Sequence, residues 1–216
     1  RSQHLVFGEF SSKFAEASNR APHLKDAQVI ESAPGTHPLP VAASDVDVYA
    51  LTHNETSTGV AMQLRRPSGD AMRDDALVVV DATSAAGGLL WDTAEVDVYY
   101  FAPQKCFSSD GGLWIAACSP KAVERIERIG KSGRWIPTSL DLLTALTNSR
   151  QDQTYNTPAL ATLFLLDQQI QWMNANGGLA WANNRSAQSA AAMYGWADAR
   201  SWATPFVADP AQRSQV

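Results

Sequence analysis

The stretch "VDVYYFAPQKCFSSDGG", residues 96–112, decides how the rest of the chain is read. Its first half has the composition of a β-strand: Val96, Val98, Tyr99, Tyr100 and Phe101 are β-branched or aromatic. Pro103 has no amide to give to a ladder and stops it. Beyond the stop stands one lysine, Lys105, between Gln104 and Cys106, followed by two serines, an aspartate and two glycines. A lysine at the end of a strand is most often a solvated surface group. What surrounds this one decides whether it is more.

Working outward, the same texture recurs. "HLVF" (4–7), "AQVIES" (27–32), "DVYALTH" (47–53), "ALVVVDA" (76–82) and "LWIAACS" (113–119) all read as strands. The continuous apolar run at 76–82 is that of a parallel strand covered on both faces. "GEFSSKFAEASNR" (8–20) reads as a helix, with Phe10 and Phe14 one turn apart. "PKAVERIERIG" (120–130) opens on Pro120, a favourable first helical position. "TPALATLFLLDQQIQWM" (157–173) puts Leu163, Leu166, Ile170 and Met173 on one helical face. A last helix runs from Gly177-Gly178 to Arg200. Strands alternating with connectors and then helices predict an α/β fold, a mostly parallel sheet with flanking helices.

The chain has 216 residues, 45% hydrophobic and 18% charged, enough for a sizeable core. A net charge of −5 argues against a nucleic-acid or anionic-membrane surface. No apolar run reaches the roughly 18 residues of a membrane span. Two cysteines, Cys106 and Cys118, suit a reduced, cytoplasmic setting rather than a disulfide scaffold. No clustered set of ligands calls for a metal. Asn54-Glu55-Thr56 and Asn184-Arg185-Ser186 fit the glycosylation pattern by coincidence. The chain opens within a few residues of a strand and closes on "RSQV", where another starts, so it is expected to be a segment of something longer.

Ligands of parallel sheets sit at the carboxyl ends of the strands. Three such ends are polar here: 53–59 ("HNETSTG"), 81–84 ("DATS") and Gln104-Lys105. An acid, a lysine and a hydroxyl-rich turn thus converge on one edge. The set suits pyridoxal phosphate, which takes a lysine for its imine link, a carboxylate at its pyridine nitrogen, and donors for its phenolate and phosphate oxygens. Taken singly each signal has an ordinary explanation, since an Asp at a strand end is commonly a turn or a cap.

The segments "HNETSTG", "VVVDATSAAGG", "DVYYFAPQKCFSSDGGLW", "TYNTPALATL" and "NGGLAWA" together resemble the phosphoserine aminotransferases, within the fold-type-I pyridoxal-phosphate enzymes. The resemblance runs over essentially the whole chain. It implies that Lys105 carries the cofactor and moves the substrate proton, with a pKa depressed by burial beside a cationic ring. It implies that Asp81 holds the ring nitrogen protonated and Thr56 donates to the phenolate oxygen. Thr83 and Gln104 match residues at the phosphate. Asn156 and Thr157 match a pair that reaches the neighbouring subunit's cofactor, implying a homodimer. The family usually has asparagine where Cys106 stands.

The implied reaction exchanges an amino group between glutamate and 3-phosphohydroxypyruvate, giving O-phosphoserine and 2-oxoglutarate. It serves serine biosynthesis and, in part of the family, pyridoxine biosynthesis. The implied domains are a cofactor-binding large domain, 1–185, and a linking helix with the start of a small α+β domain, 186–216. The family carries a Gly-rich phosphate turn and a stacking aromatic ahead of the first strand here, and a carboxylate-gripping arginine beyond residue 216. The chain alone is therefore expected to be inactive. Arg65, Arg66 and Arg134 match no family role and read as solvated surface groups. The competing readings are another enzyme of the same fold, such as a cysteine desulfurase, and a non-catalytic dimerising α/β domain.

Overall fold

The computed structural model describes residues 1–216. Its strands along the chain are β1 (Ser2–Val6), β2 (Gln28–Glu31), β3 (Val48–Thr52), β4 (Asn54–Glu55), β5 (Val60–Ala61), β6 (Leu77–Asp81), β7 (Val98–Phe101) and β8 (Ile115–Cys118). Six of them form one sheet in the order β2-β1-β3-β6-β7-β8, while β4 and β5 make a small antiparallel ribbon. All pairings in the main sheet are parallel except β7 with β8. The fold is thus the mostly parallel α/β sheet that the valine-rich runs predict. The chain leaves β1 for β2 on one side and continues from β3 to β6 on the other. The crevice between β1 and β3 is therefore the point where the winding reverses, the usual place for a ligand in an open α/β sheet.

Helix α1 (Glu9–Asn19) covers one sheet face, its Phe14 ring meeting His4 and Tyr100 edge-on at 4.9 and 5.9 Å. The opposite face carries Leu5, Tyr49, Leu51, Val78, Val80 and Tyr99, packed under Val60, Met62, Leu64, Leu89 and Val207. Trp91 stacks flat on Tyr99 with ring centroids 4.1 Å apart. Burying each of these large side chains contributes about 1.5–3 kcal/mol.

Four further helices follow: α2 (Pro120–Gly130), α3 (Leu142–Ser149), α4 (Leu160–Ala175) and α5 (Gly178–Asp198). In α2 the Ser119 hydroxyl accepts the Ala122 amide ahead of Pro120. The sequence reading has no counterpart to α3. Its one signal is Asp141, whose carboxylate accepts from the Leu143 amide and the Thr144 hydroxyl. In α4, Leu166 and Met173 are buried, but Leu163 and Ile170 stay 38% exposed at the rim of that face. Helix α5 runs unbroken through residue 185, and the segment after it folds back, burying Val207. "RSQV" does not form a strand of its own: Arg213 makes an isolated bridge to Val60, and the Ser214 amide donates to the Gly59 carbonyl at 2.8 Å.

Two histidines are buried in this core. His53 pairs through Nδ1 with the Tyr99 hydroxyl at 3.0 Å, and His4 through Nε2 with Ser2 Oγ at 3.0 Å. Burial pushes both pKa values down from 6.5 to about 4. Both rings are neutral in the fold, so stability fully present above pH 6.5 is lost as the pH falls toward 4. The slope in that window is up to about 1.4 kcal/mol per pH unit for each histidine. Urea unfolding of the full chain at about pH 7.5 and about pH 5 is expected to show a smaller loss for His53→Gln than for the parent. Equal losses would mean that His53 does not charge on unfolding.

Candidate functional site

The site grows from the carboxyl ends of β3, β6 and β7. Thr52 pairs with Asp81, and Asp81 with Tyr100, so these three side chains share a face at the edge of the sheet. The chain turns immediately after Asp81, and the turn is held by that side chain: Oδ1 accepts from the Thr83 amide at 3.0 Å and the Thr83 hydroxyl at 2.7 Å. The Tyr100 phenol is pushed far up, first by burial, then by the negative charge of Asp81 and by its hydrogen bond to that carboxylate.

The Lys105 loop begins at the buried Pro103, and its turn is closed by Ser108 N–H donating to the Lys105 carbonyl at 2.9 Å. Ser108 takes a left-handed conformation, φ 51°. Three contacts fix the loop from outside. The Ser109 hydroxyl donates to the Thr162 carbonyl in the first turn of α4 at 2.7 Å. The Cys106 thiol donates to the Ser84 carbonyl at 3.7 Å, tying this loop to the one after β6. Phe107 stacks on Phe101 at 5.2 Å. Burial raises the Cys106 thiol pKa, so the residue standing in the family's asparagine position acts as a protonated, structural donor.

Lys105 itself is exposed, which corrects the expectation that it is buried. The turn after Pro103 carries its backbone beyond the strand end, and nothing in the chain covers it there. Lys13 is ion-paired with Glu9 and Lys121 with Asp97, while Lys105 has no carboxylate partner. Thr56 and Gln104 are likewise exposed, with side chains in no hydrogen bond. Several neighbours are engaged: Asn54 and Ser84 exchange hydrogen bonds at 3.0 and 2.9 Å, and Glu55 and Ser57 bond each other at 2.7 Å, while the buried Thr52 Oγ1 and Asn54 Oδ1 have no partner. Free donors on such loops are what a polar ligand would use. Asn156 and Thr157 lie on the exposed connector between α3 and α4. The Asn156 carbonyl accepts from the Thr154 hydroxyl at 2.6 Å, and no hydrogen bond joins the pair to the other candidates.

Glu55 is fully buried, and the sequence reading passes over it as part of a turn. Its Oε2 accepts from the Ser11 amide at 2.8 Å and its Oε1 from the Phe10 amide at 3.3 Å, both at the start of α1. Burial alone would raise its pKa, but the hydrogen bonds from Ser11 and Ser57 outweigh that and hold the carboxyl below its ordinary range. A residue that caps a helix 44 positions upstream leaves no local mark in the sequence.

The arginines divide. Arg65 pairs with Glu95 at 3.1 Å, and Arg134 is exposed. Arg66 is not a solvated surface group: it reaches the buried Asp97 at 2.8 Å. Asp97 also accepts from the Val78 amide and the Ser119 hydroxyl, and these bonds and Arg66 overcome the effect of burial to lower its pKa. Asn54 is only 4% exposed, so it is no glycosylation acceptor.

A family model described as aminotransferase class-V matches residues 37–215. The phosphoserine aminotransferase of Rhodococcus jostii (strain RHA1) is 56% identical over 216 residues, covering 100% of this chain and 57% of its own length. That of Nocardioides sp. (strain ATCC BAA-499 / JS614) is 58% identical, covering 100% of this chain and 58% of its own. Among solved structures, a phosphoserine aminotransferase from Cytophaga hutchinsonii superposes with a TM-score of 0.88 at 27% identity, over 99% of this chain and 60% of that one. The chain therefore spans less than two thirds of the length of these relatives.

Proposed function

The chain belongs to the aminotransferase class-V family, and from that premise we propose that it carries the cofactor-binding part of a phosphoserine aminotransferase. The reaction we assign moves an amino group between glutamate and 3-phosphohydroxypyruvate, giving O-phosphoserine and 2-oxoglutarate. Identity of 56–58% over the whole chain to proteins of that name supports the substrate class. The observation that carries the chemistry is the unpaired Lys105 amine on the loop tied through Cys106 to the turn after Asp81.

The donor set fits pyridoxal phosphate. Lys105 would hold it through the amine, Asp81 would face the ring nitrogen, and Thr56 and Gln104 would donate to its oxygens; the Thr83 amide and hydroxyl protons, expected at the phosphate, are instead given to Asp81. When bound, pyridoxal phosphate supplies a carbonyl for amine exchange and a cationic ring that withdraws electrons. Thr83 fixes the Asp81 carboxylate through two bonds to one oxygen, so its charge stays aimed where it is needed. Lys105 would carry the proton between the substrate α-carbon and the cofactor's C4′, which requires the amine free of a competing acid. Asn156 and Thr157, exposed and with side chains in no hydrogen bond of their own chain, would serve the partner's site in a C₂ homodimer. Two unpaired cysteines support a reducing, cytoplasmic setting.

A cysteine desulfurase is disfavoured. The Cys106 thiol is committed to Ser84, and Cys118 lies on β8 at the edge of the sheet. A non-catalytic domain would have no use for the three unengaged donors.

Three measurements test this reading in the full-length, cofactor-loaded protein. Borohydride reduction and peptide mapping should place the pyridoxyl adduct on Lys105; an adduct on Lys121 or Lys131 would sink the assignment. Asp81→Asn should still take up cofactor but lose turnover on the order of 10²-fold or more. Near-parental turnover would reduce Asp81 to a turn residue. Mixing Lys105→Ala subunits with subunits altered at both Asn156 and Thr157 should restore part of the activity, because one site of each heterodimer is then whole. Heterodimers without recovery would place the pair away from the partner's site.

A further inference from the structure

We propose that Glu55 is a positioning residue for the cofactor site: resting on the reading that Thr56 meets the phenolate oxygen, it bolts the Thr56 turn to the start of α1 and so fixes where that hydroxyl stands. The turn is clamped on both sides of Thr56. Ahead of it, Glu55 accepts the Phe10 and Ser11 amides. Behind it, Ser57 donates to Glu55 Oε1 through both its amide, at 3.2 Å, and its hydroxyl, at 2.7 Å. The Ser57 hydroxyl in turn accepts the Glu9 amide at 2.9 Å, and the Thr58 hydroxyl donates to the Phe7 carbonyl at 3.3 Å. Thr56 is the one hydroxyl residue of this turn left free. The anchor is the N-terminus of α1, whose orphan amides favour a carboxylate over any neutral acceptor.

Gly8 makes the approach possible. A Cβ at residue 8 would lie 2.5 Å from the Glu55 carboxyl carbon and 2.5 Å from Ser57 Oγ. Backbone and carboxylate can meet this closely only at a glycine. The clamp sits in the crevice between β1 and β3, where the winding of the sheet reverses. Both Glu55 oxygens are committed to protein donors, so the residue acts through Thr56 and takes no proton from a substrate. The other titratable groups of the strand ends, His53, Asp81, Tyr100, Lys105 and Cys106, make no hydrogen bond to Glu55, and its neighbour Glu9 is paired with Lys13.

The test is the pH midpoint of the bound cofactor's absorbance change in the full-length protein. A donor held on the phenolate oxygen favours its anionic form and weakens the hold on the titrating proton, so losing the donor raises the midpoint. Thr56→Val should raise it by about one pH unit, the scale of a hydrogen bond to a charged group. Glu55→Gln should raise it by about half a unit, and should add nothing further in the Thr56→Val background. Ser57→Ala, a milder change, should move it the same way and decides the matter if Glu55→Gln does not fold. A merely structural Glu55 would lower the melting temperature of the cofactor-free chain and leave the midpoint of filled sites where it was, which overturns the inference alone. A parent protein with no cofactor band, or one whose midpoint ignores Thr56→Val, overturns the reading beneath it as well.

Discussion

The Glu55 carboxylate, buried and accepting the first free amides of α1, is the contact on which the carboxyl edge of the sheet depends. A carboxylate removed from water must be repaid with donors, or it costs several kcal/mol. Here backbone amides that the helix cannot satisfy internally are those donors. Two liabilities cancel: an orphaned helix end and a buried charge. Because the acid sits on β4, which directly follows β3, and the helix follows β1, the cancellation also closes the crevice between β1 and β3 to a fixed geometry.

The opposite edge of the sheet uses the same device. Asp97, 4% exposed, gathers Arg66, the Val78 amide and the Ser119 hydroxyl. It thereby joins the connector after β5, the start of β6, and the cap of α2. The two carboxylates differ in what they leave free. Around Asp97 the polar groups are used up. Around Glu55 and Asp81, Thr56, Gln104 and Lys105 are not. An edge whose turns are held by internal hydrogen bonds and whose outermost donors are idle is organised in advance, so a ligand need not reorder it.

How much of this the chain declares by itself varies with the range of the interaction. The strand at 76–82 is legible because a parallel strand covered on both faces needs an apolar run, and that at 96–102 because it is rich in β-branched and aromatic residues, with Pro103 marking its end. Lys105, Asp81 and Thr56 are legible as candidates because strand ends are where polar residues follow such runs. Helix α3 escapes notice because its eight residues, "LLTALTNS", carry too short a pattern, with only Asp141 as a cap. Arg66 looks like any solvated arginine, since its partner lies 31 residues away in the connector before β7.

The sequence by itself determined the six strands of the main sheet, the parallel α/β class and which strand ends bear an amine, an acid and hydroxyls. These follow from periodicity, turn chemistry and residue type, which act over a few positions. Only the tertiary structure decided that Lys105 stands exposed, that Cys106 ties its loop to Ser84, and that Glu55 rather than a nearby residue caps α1. Those outcomes depend on which segments the strand order β2-β1-β3-β6-β7-β8 brings side by side. Burial and hydrogen-bond satisfaction are properties of that juxtaposition, and a buried carboxylate finds its partners in space, not along the chain.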